Sequence, residues 1–263
     1  MLKREFKINL KSFLIWIFVT IVLYLLVYLI YPSIIDSENI KLMNEYVKMF
    51  PDEMIKAFNL DISSMDTMYG WLKSEGFIFI LLIIGTYSSI IGTDILFKEE
   101  SNKTIEYLNS LPIKRSTILL DKIIIGISYI LLMIIIIGVF NFVGLSLSGK
   151  FDKVEFLLLS ITPLLISLPI FSISLFLSTL FKKNKKTIGI SLGIVFFNYF
   201  IHILSGINSK TELFKFFSIY TLSDIRNVII NNSINPIMFI ISILISLLFM
   251  FCTFVRYEKK ELV

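Results

Sequence analysis

The sequence predicts an all-α membrane protein with six transmembrane helices, and three observations carry that prediction. Of 263 residues, 56% are hydrophobic and 17% charged, with a mean hydropathy of +0.84, where a soluble domain holds about 45–50% apolar and about 25% charged residues. The apolar residues are gathered into long runs, at 13–35, 77–97, 123–147, 156–181, 188–207 and 237–255. Each approaches or exceeds the roughly 20 residues that a helix needs to cross about 30 Å of hydrocarbon. Runs such as 134–137 and 240–250 show no inside/outside alternation, which sets aside the strands of a membrane barrel. The same composition excludes an ordinary cytosolic enzyme and an unfolded chain. The single cysteine, Cys252, excludes an internal disulfide framework and a cysteine-based metal cluster.

The elements follow in order. Residues 2–13 place Leu2, Phe6, Leu10 and Phe13 on one helical face and Lys3, Arg4, Lys7 and Lys11 on another. This pattern predicts an N-terminal helix lying in the interface before the chain turns into the bilayer, the alternative being a helical start that simply continues the first span. The first span is too long for the apolar core of a signal peptide and has no small-residue cleavage site after it. In the outer loop, 36–76, Met43, Tyr46, Val47 and Phe50 repeat at helical spacing, and Pro51 followed by Asp52 and Glu53 suits the start of a second short helix. Short amphipathic helices on the outer membrane surface are expected there. In the second span Gly85/Ser89 and Ser88/Gly92 stand at i, i+4, a spacing that permits close helix packing, within the chain or between copies. Asp94 and Lys98 are spaced for a local ion pair. The apolar but interrupted stretch 211–235 is expected to dip into the outer leaflet, with Pro236 opening the last helix.

Charge orients the spans. With a cytosolic N-terminus, 16 of the 25 Lys and Arg residues fall in inner segments and 9 in longer outer ones, the asymmetry that orients multi-span proteins. Both termini are therefore expected in the cytosol. The net charge of +5 is a matter of topology and does not call for nucleic acid.

The fourth span carries Ser160, Ser167, Ser174 and Ser178 near heptad spacing, and the fifth carries Ser191, Asn198, His202 and Ser205. Two readings stay open for Ser167, Ser174, Asn198 and His202: they line a substrate route, or they hydrogen-bond across a helix interface. His202 is the only histidine, so no metal site is expected. Paired carboxylates, a Ser/His/Asp set and zinc-binding spacings are absent, and no catalytic residue is assigned.

The inner loop 98–117 is the most informative segment. Ile105, Leu108 and Leu111 keep an apolar face while Glu99, Glu100, Lys103 and Glu106 stay polar, and Pro112 ends the helical pattern. On the residues alone this is a short docking element that combines charge with apolar anchors, or else a solvated loop shaped only by charge. Its letters, with Glu99, Glu100, Thr104, Glu106, Leu108, Leu111, Pro112, Ile113 and Arg115 followed by Lys122 at the next span, resemble the permeases of ABC-type exporters of the second permease class. The resemblance extends over the chain, through the N-terminal helix, the six spans and the long first outer loop. It implies a single transmembrane domain over 1–263 that pairs with a separate ABC-type ATPase subunit and with a second permease copy or homologue. It implies further that 99–115 form a coupling helix seated in the ATPase.

The chain itself holds no G-x-x-x-x-G-K-[ST] loop to cradle phosphate. Hydrolysis, with its ATP and magnesium, is therefore expected on the partner, and the chain is expected to be neither an enzyme nor a binder of a cofactor. Little charge at mid-membrane depth favours a hydrophobic or amphipathic cargo, with amphipathic peptides preferred. The rival reading is an ATP-independent transporter, or a sensor or scaffold subunit. Abundant Ile, Lys and Asn suit an AT-rich bacterial genome and hence the bacterial cytoplasmic membrane.

Overall fold

The computed structural model describes residues 2–34, 45–46, 49–51, 67–101, 114–181, 183–207, 210–223 and 225–259. No strand occurs among them. Backbone groups in hydrocarbon have no water to bond, so each crossing segment must satisfy its own N–H and C=O groups as a helix. The long helices are α1 (Leu2–Ile34), α3 (Phe77–Ser101), α4 (Arg115–Ser148), α5 (Lys153–Leu180), α6 (Asn184–Ser205) and α8 (Pro236–Lys259). A short α2 (Met68–Trp71) leads through a π-helical turn, Leu72–Gly76, into α3. Between α6 and α8 come two 3-10 turns, Glu212–Phe217 and Ile219–Ser223, and α7 (Ile225–Asn231). Among the described residues six helices are long and apolar enough to cross a membrane, and each contains one of the six apolar runs almost entirely.

The N-terminal segment differs from its expectation. Residues 2–13 are the first turns of a single continuous α1, with no turn between an interfacial and a spanning part. The reason lies on a face that looks minor in sequence: Glu5 and Asn9 are both buried. Their contacts on neighbouring helices draw these turns into line with the span.

Hydrogen bonds and ion pairs fix an up-and-down arrangement. At the end that carries Leu2 and Lys259, the start of α1 meets the end of α3 and the start of α4, and the start of α4 meets the end of α8. At the opposite end, Tyr24 of α1 donates to the Gly76 carbonyl at 2.6 Å and Tyr28 to Asn141 of α4 at 3.1 Å, while Lys73 pairs with Glu155 of α5 at 2.8 Å. Asp152 caps α5 by accepting from the Val154 and Glu155 amides.

The centre of the bundle is α3 against α5, and α1, α6 and α8 lie outside with most of their apolar surface exposed. Lipid tails are as apolar as leucine, so this contact is held by close van der Waals packing, not by exclusion of water. A Cβ on Gly92 would lie 2.7 Å from the Phe171 carbonyl oxygen and 3.0 Å from the Ser174 Cβ, and a Cβ on Gly126 would collide with the Phe171 ring. Gly85 lies under the Tyr220 hydroxyl of the second 3-10 turn. The small residues of the second span therefore pack inside this chain. In the 211–235 stretch, Tyr220, Leu222 and Val228 are buried, while Phe214, Phe216 and Phe217 are exposed. Most of the outer loop 36–76, including much of the expected short amphipathic helices, lies outside the described residues.

Gly92→Val should lower stability by about 1–3 kcal/mol, because its neighbour is backbone and cannot rotate away. Gly189→Ala, with open space around it, should lose nothing. Thermal unfolding of the two detergent-solubilised variants against the parent measures the difference.

Candidate functional site

The sequence motif of the inner loop divides sharply in the structure. Glu99 and Glu100 belong to the last turn of α3, and Arg115 opens α4. Thr104, Glu106, Leu108, Leu111 and Pro112 lie outside the described residues. What the structure describes in detail is the pair of roots from which the loop emerges.

Both roots are fastened to the first turns of α1. At the α3 root, Lys98 Nζ donates to Asn9 Oδ1 at 2.6 Å. At the α4 root, Lys122 Nζ lies 3.3 Å from Glu5 Oε2, with side-chain exposures of 1% and 2%, and also donates to the Ile95 carbonyl of α3 at 2.8 Å. One lysine thus ties α1, α3 and α4 together. Asn9 is itself oriented by donating to the Glu5 carbonyl at 2.9 Å. About two turns along α4 from Lys122, the Tyr129 hydroxyl donates to the Phe6 carbonyl and the two rings stack with centroids 4.7 Å apart. Arg115 Nη1 reaches the Glu258 carbonyl at 3.4 Å, near the end of α8. The loop therefore leaves the bundle from a rigid frame built by four helices.

Asp94 and Lys98 do not form the local pair their spacing suggests. Lys98 reaches Asn9 of α1, and Asp94 accepts from Asn184 Nδ2 of α6 at 3.0 Å. Interhelical partners stand within reach at that level, and each of the two side chains bonds to one of them.

The two polar stripes go to different neighbours. Ser167 and Ser174 are buried; Ser167 donates to Leu164 O at 3.1 Å, and Ser174 meets Ser89 of α3 at 3.4 Å. Asn198 receives the Ile219 amide at 3.0 Å, and its carbonyl accepts from Ser218 Oγ at 2.8 Å, so it anchors the 3-10 segment. The His202 ring lies beside Tyr220, with centroids 6.4 Å apart. Among the described residues no hydrogen bond joins one stripe to the other. A pocket between α3, α4 and α5, lined by Ile84, Ile137, Asn141 and Phe156 among others, has a volume of about 10 Å³, room for one water at most.

The residues missed at the sequence level are Glu5 and Asn9. Glu5 is the only acid among the four cations of residues 2–11, and Asn9 follows it by one turn. An isolated acid in a basic segment is the signal that could have found them.

Removing one partner of a buried ion pair leaves the other charge stranded, at about 3–5 kcal/mol, whereas replacing both by neutral groups is often close to neutral. Lys122→Met should therefore destabilise strongly. The double variant Glu5→Gln/Lys122→Met should recover most of the loss, as read by a double-mutant cycle in chemical unfolding.

A sequence model described as ABC-2 family transporter protein matches residues 1–262. No curated protein and no solved structure gives a significant match. With six helices able to span a membrane and a family match over nearly its whole length, the chain belongs to the ABC-2 transporter family and is a multi-pass membrane permease of an ABC transporter.

Proposed function

We propose that this chain is the permease subunit of an ATP-driven exporter, working with a separate ABC-type ATPase and a second permease copy or homologue. Family membership supports the ATPase partner. The observation that carries the coupling role is the frame beneath the inner loop, where Lys98 and Lys122 hold both roots against Asn9 and Glu5. A segment that is to pass on a push needs stiff attachments at both of its ends, since slack would absorb the displacement. Residues 99–115 are the ATPase contact in this reading, with Glu99, Glu100, Thr104, Glu106 and Arg115 as its polar groups and Leu108, Leu111 and Pro112 as its apolar and helix-ending ones. The end with both termini is then cytosolic, in a bacterial cytoplasmic membrane. ATP binds the partner subunits and favours one membrane conformation through its higher affinity for that state.

The second copy is supported by the tight packing of the first. Ser167 and Ser174 are buried, Ser174 against Ser89 of α3, and the pocket between α3, α4 and α5 holds no more than about 10 Å³. A cargo-sized path is therefore more readily built between two chains, from exposed faces such as those of α6 or α8, than within one. Those faces are overwhelmingly apolar, which favours a hydrophobic or amphipathic cargo, a peptide foremost.

Glu106→Ala and Arg115→Ala should each reduce co-purification of the ATPase subunit and slow ATP-dependent efflux, leaving the permease in the membrane at its normal amount. Unchanged recruitment and efflux in both variants would refute the coupling role. An efflux panel of amphipathic peptides, lipids, drugs and small hydrophilic solutes tests the cargo class, and preference for a hydrophilic solute would overturn it.

A further inference from the structure

The first turns of α1 carry two stripes at i, i+4 spacing, offset by two residues. An offset of two residues is a rotation of about 200°, so the stripes occupy opposite faces of the helix. One is Glu5 and Asn9, buried and committed to Lys122 and Lys98. The other is Lys3, Lys7 and Lys11, all exposed. Like charges one turn apart repel, and among the described residues no carboxylate pairs with any of the three. Glu5, the one acid in these turns, points the other way. A stripe of this kind is incomplete without an anion.

The surface below the lysines narrows the choice of anion. Lys7 and Lys11 line a shallow, open groove of about 440 Å³ together with Leu10, Leu14, Ile15 and Phe18. Leu14, Ile15 and Phe18 are 54%, 55% and 69% exposed. Phe18 lies seven residues beyond Lys11, or about 10 Å further along the helix axis, which is into the hydrocarbon when the lysines stand at the headgroups. A ligand that satisfies both parts has an anionic head and an aliphatic tail. A second copy of this chain fits poorly, because a two-fold contact uses the same patch on both subunits and would bring each lysine stripe against its like.

We propose that this face of α1 is a seat for an anionic phospholipid, its phosphate held by Lys7 and Lys11 and an acyl chain lying along Leu14, Ile15 and Phe18. The lipid backs the helix turn whose other face clamps the two roots of the inner loop. The headgroup charge of the surrounding membrane therefore bears on the frame of that loop. The seat rests on α1 alone and does not depend on the exporter reading.

The test uses the full chain in nanodiscs of phosphatidylcholine containing a minor fraction of phosphatidylglycerol. Phosphatidylglycerol retained on the released protein is counted by native mass spectrometry. A lysine near an anionic surface contributes a factor of about five, so K7Q/K11Q should lower retention by roughly 25-fold. K183Q/K185Q removes two exposed cations from the same end of the bundle and should leave the retained lipid in place. Both pairs are solvent-facing, and matched thermal unfolding of the variants verifies that they fold. Equal retention by K7Q/K11Q and the parent would overturn the seat, and so would an equal loss in both double variants, which would mean diffuse charge attraction. Efficient disulfide formation between copies through Ile15→Cys, in a Cys252→Ser background, would put a second chain on this face and also overturn it.

Discussion

The contact of α3 with α5 is the constraint on which the rest of the fold depends. In hydrocarbon there is little hydrophobic gain in bringing two apolar helices together, so association rests on how closely the backbones approach. Gly92 lets α3 come against the Phe171 carbonyl, and Gly126 lets α4 close over the ring of the same phenylalanine. Ser89 and Ser174 meet in that interface at 3.4 Å. The other helices are arranged around this pair, and their outward faces are left to lipid or to another chain.

At the end of the bundle where both described termini lie, packing gives way to charge. Lys122 is almost wholly enclosed, and it is tolerated there because Glu5 and the Ile95 carbonyl receive it. An ion pair in such a place is poor evidence of stability, since two apolar side chains of similar volume would often serve as well. Its value is geometric. A lysine that must satisfy groups on α1 and α3 while belonging to α4 permits few relative positions of the three helices. In the proposed coupling role that is the place where stiffness is useful, because the loop between α3 and α4 leaves from this frame.

Local properties explain which features were legible from residues alone. The six apolar runs are chain-local quantities, and the helices 77–101, 115–148 and 153–180 contain nearly all of the runs expected there. Pro236 stands at the first position of α8, where proline lacks only an N–H that would be unpaired anyway. The tight spacing of Gly85, Ser88, Ser89 and Gly92 signalled close approach, but it could not say to which helix. The segment 2–13 misled for a related reason. Its cationic and apolar faces suit an interfacial helix, and the isolated Glu5, though a local signal, does not say that it and Asn9 have partners more than 80 residues away at Lys122 and Lys98.

The sequence by itself determined the class of the protein, because hydrocarbon admits only segments that satisfy their own backbone, and the runs long enough to do so can be read residue by residue. It also determined that no phosphate-cradling loop of the P-loop type lies in this chain. Only the tertiary structure decided that α3 and α5 form the centre, that Ser174 of α5 meets Ser89 of α3, and that α1 runs unbroken. It alone showed that Lys98 and Lys122 root the inner loop on Asn9 and Glu5. Each of these depends on which helix faces which at a given depth, a property of pairs of residues far apart in the chain that no local pattern contains.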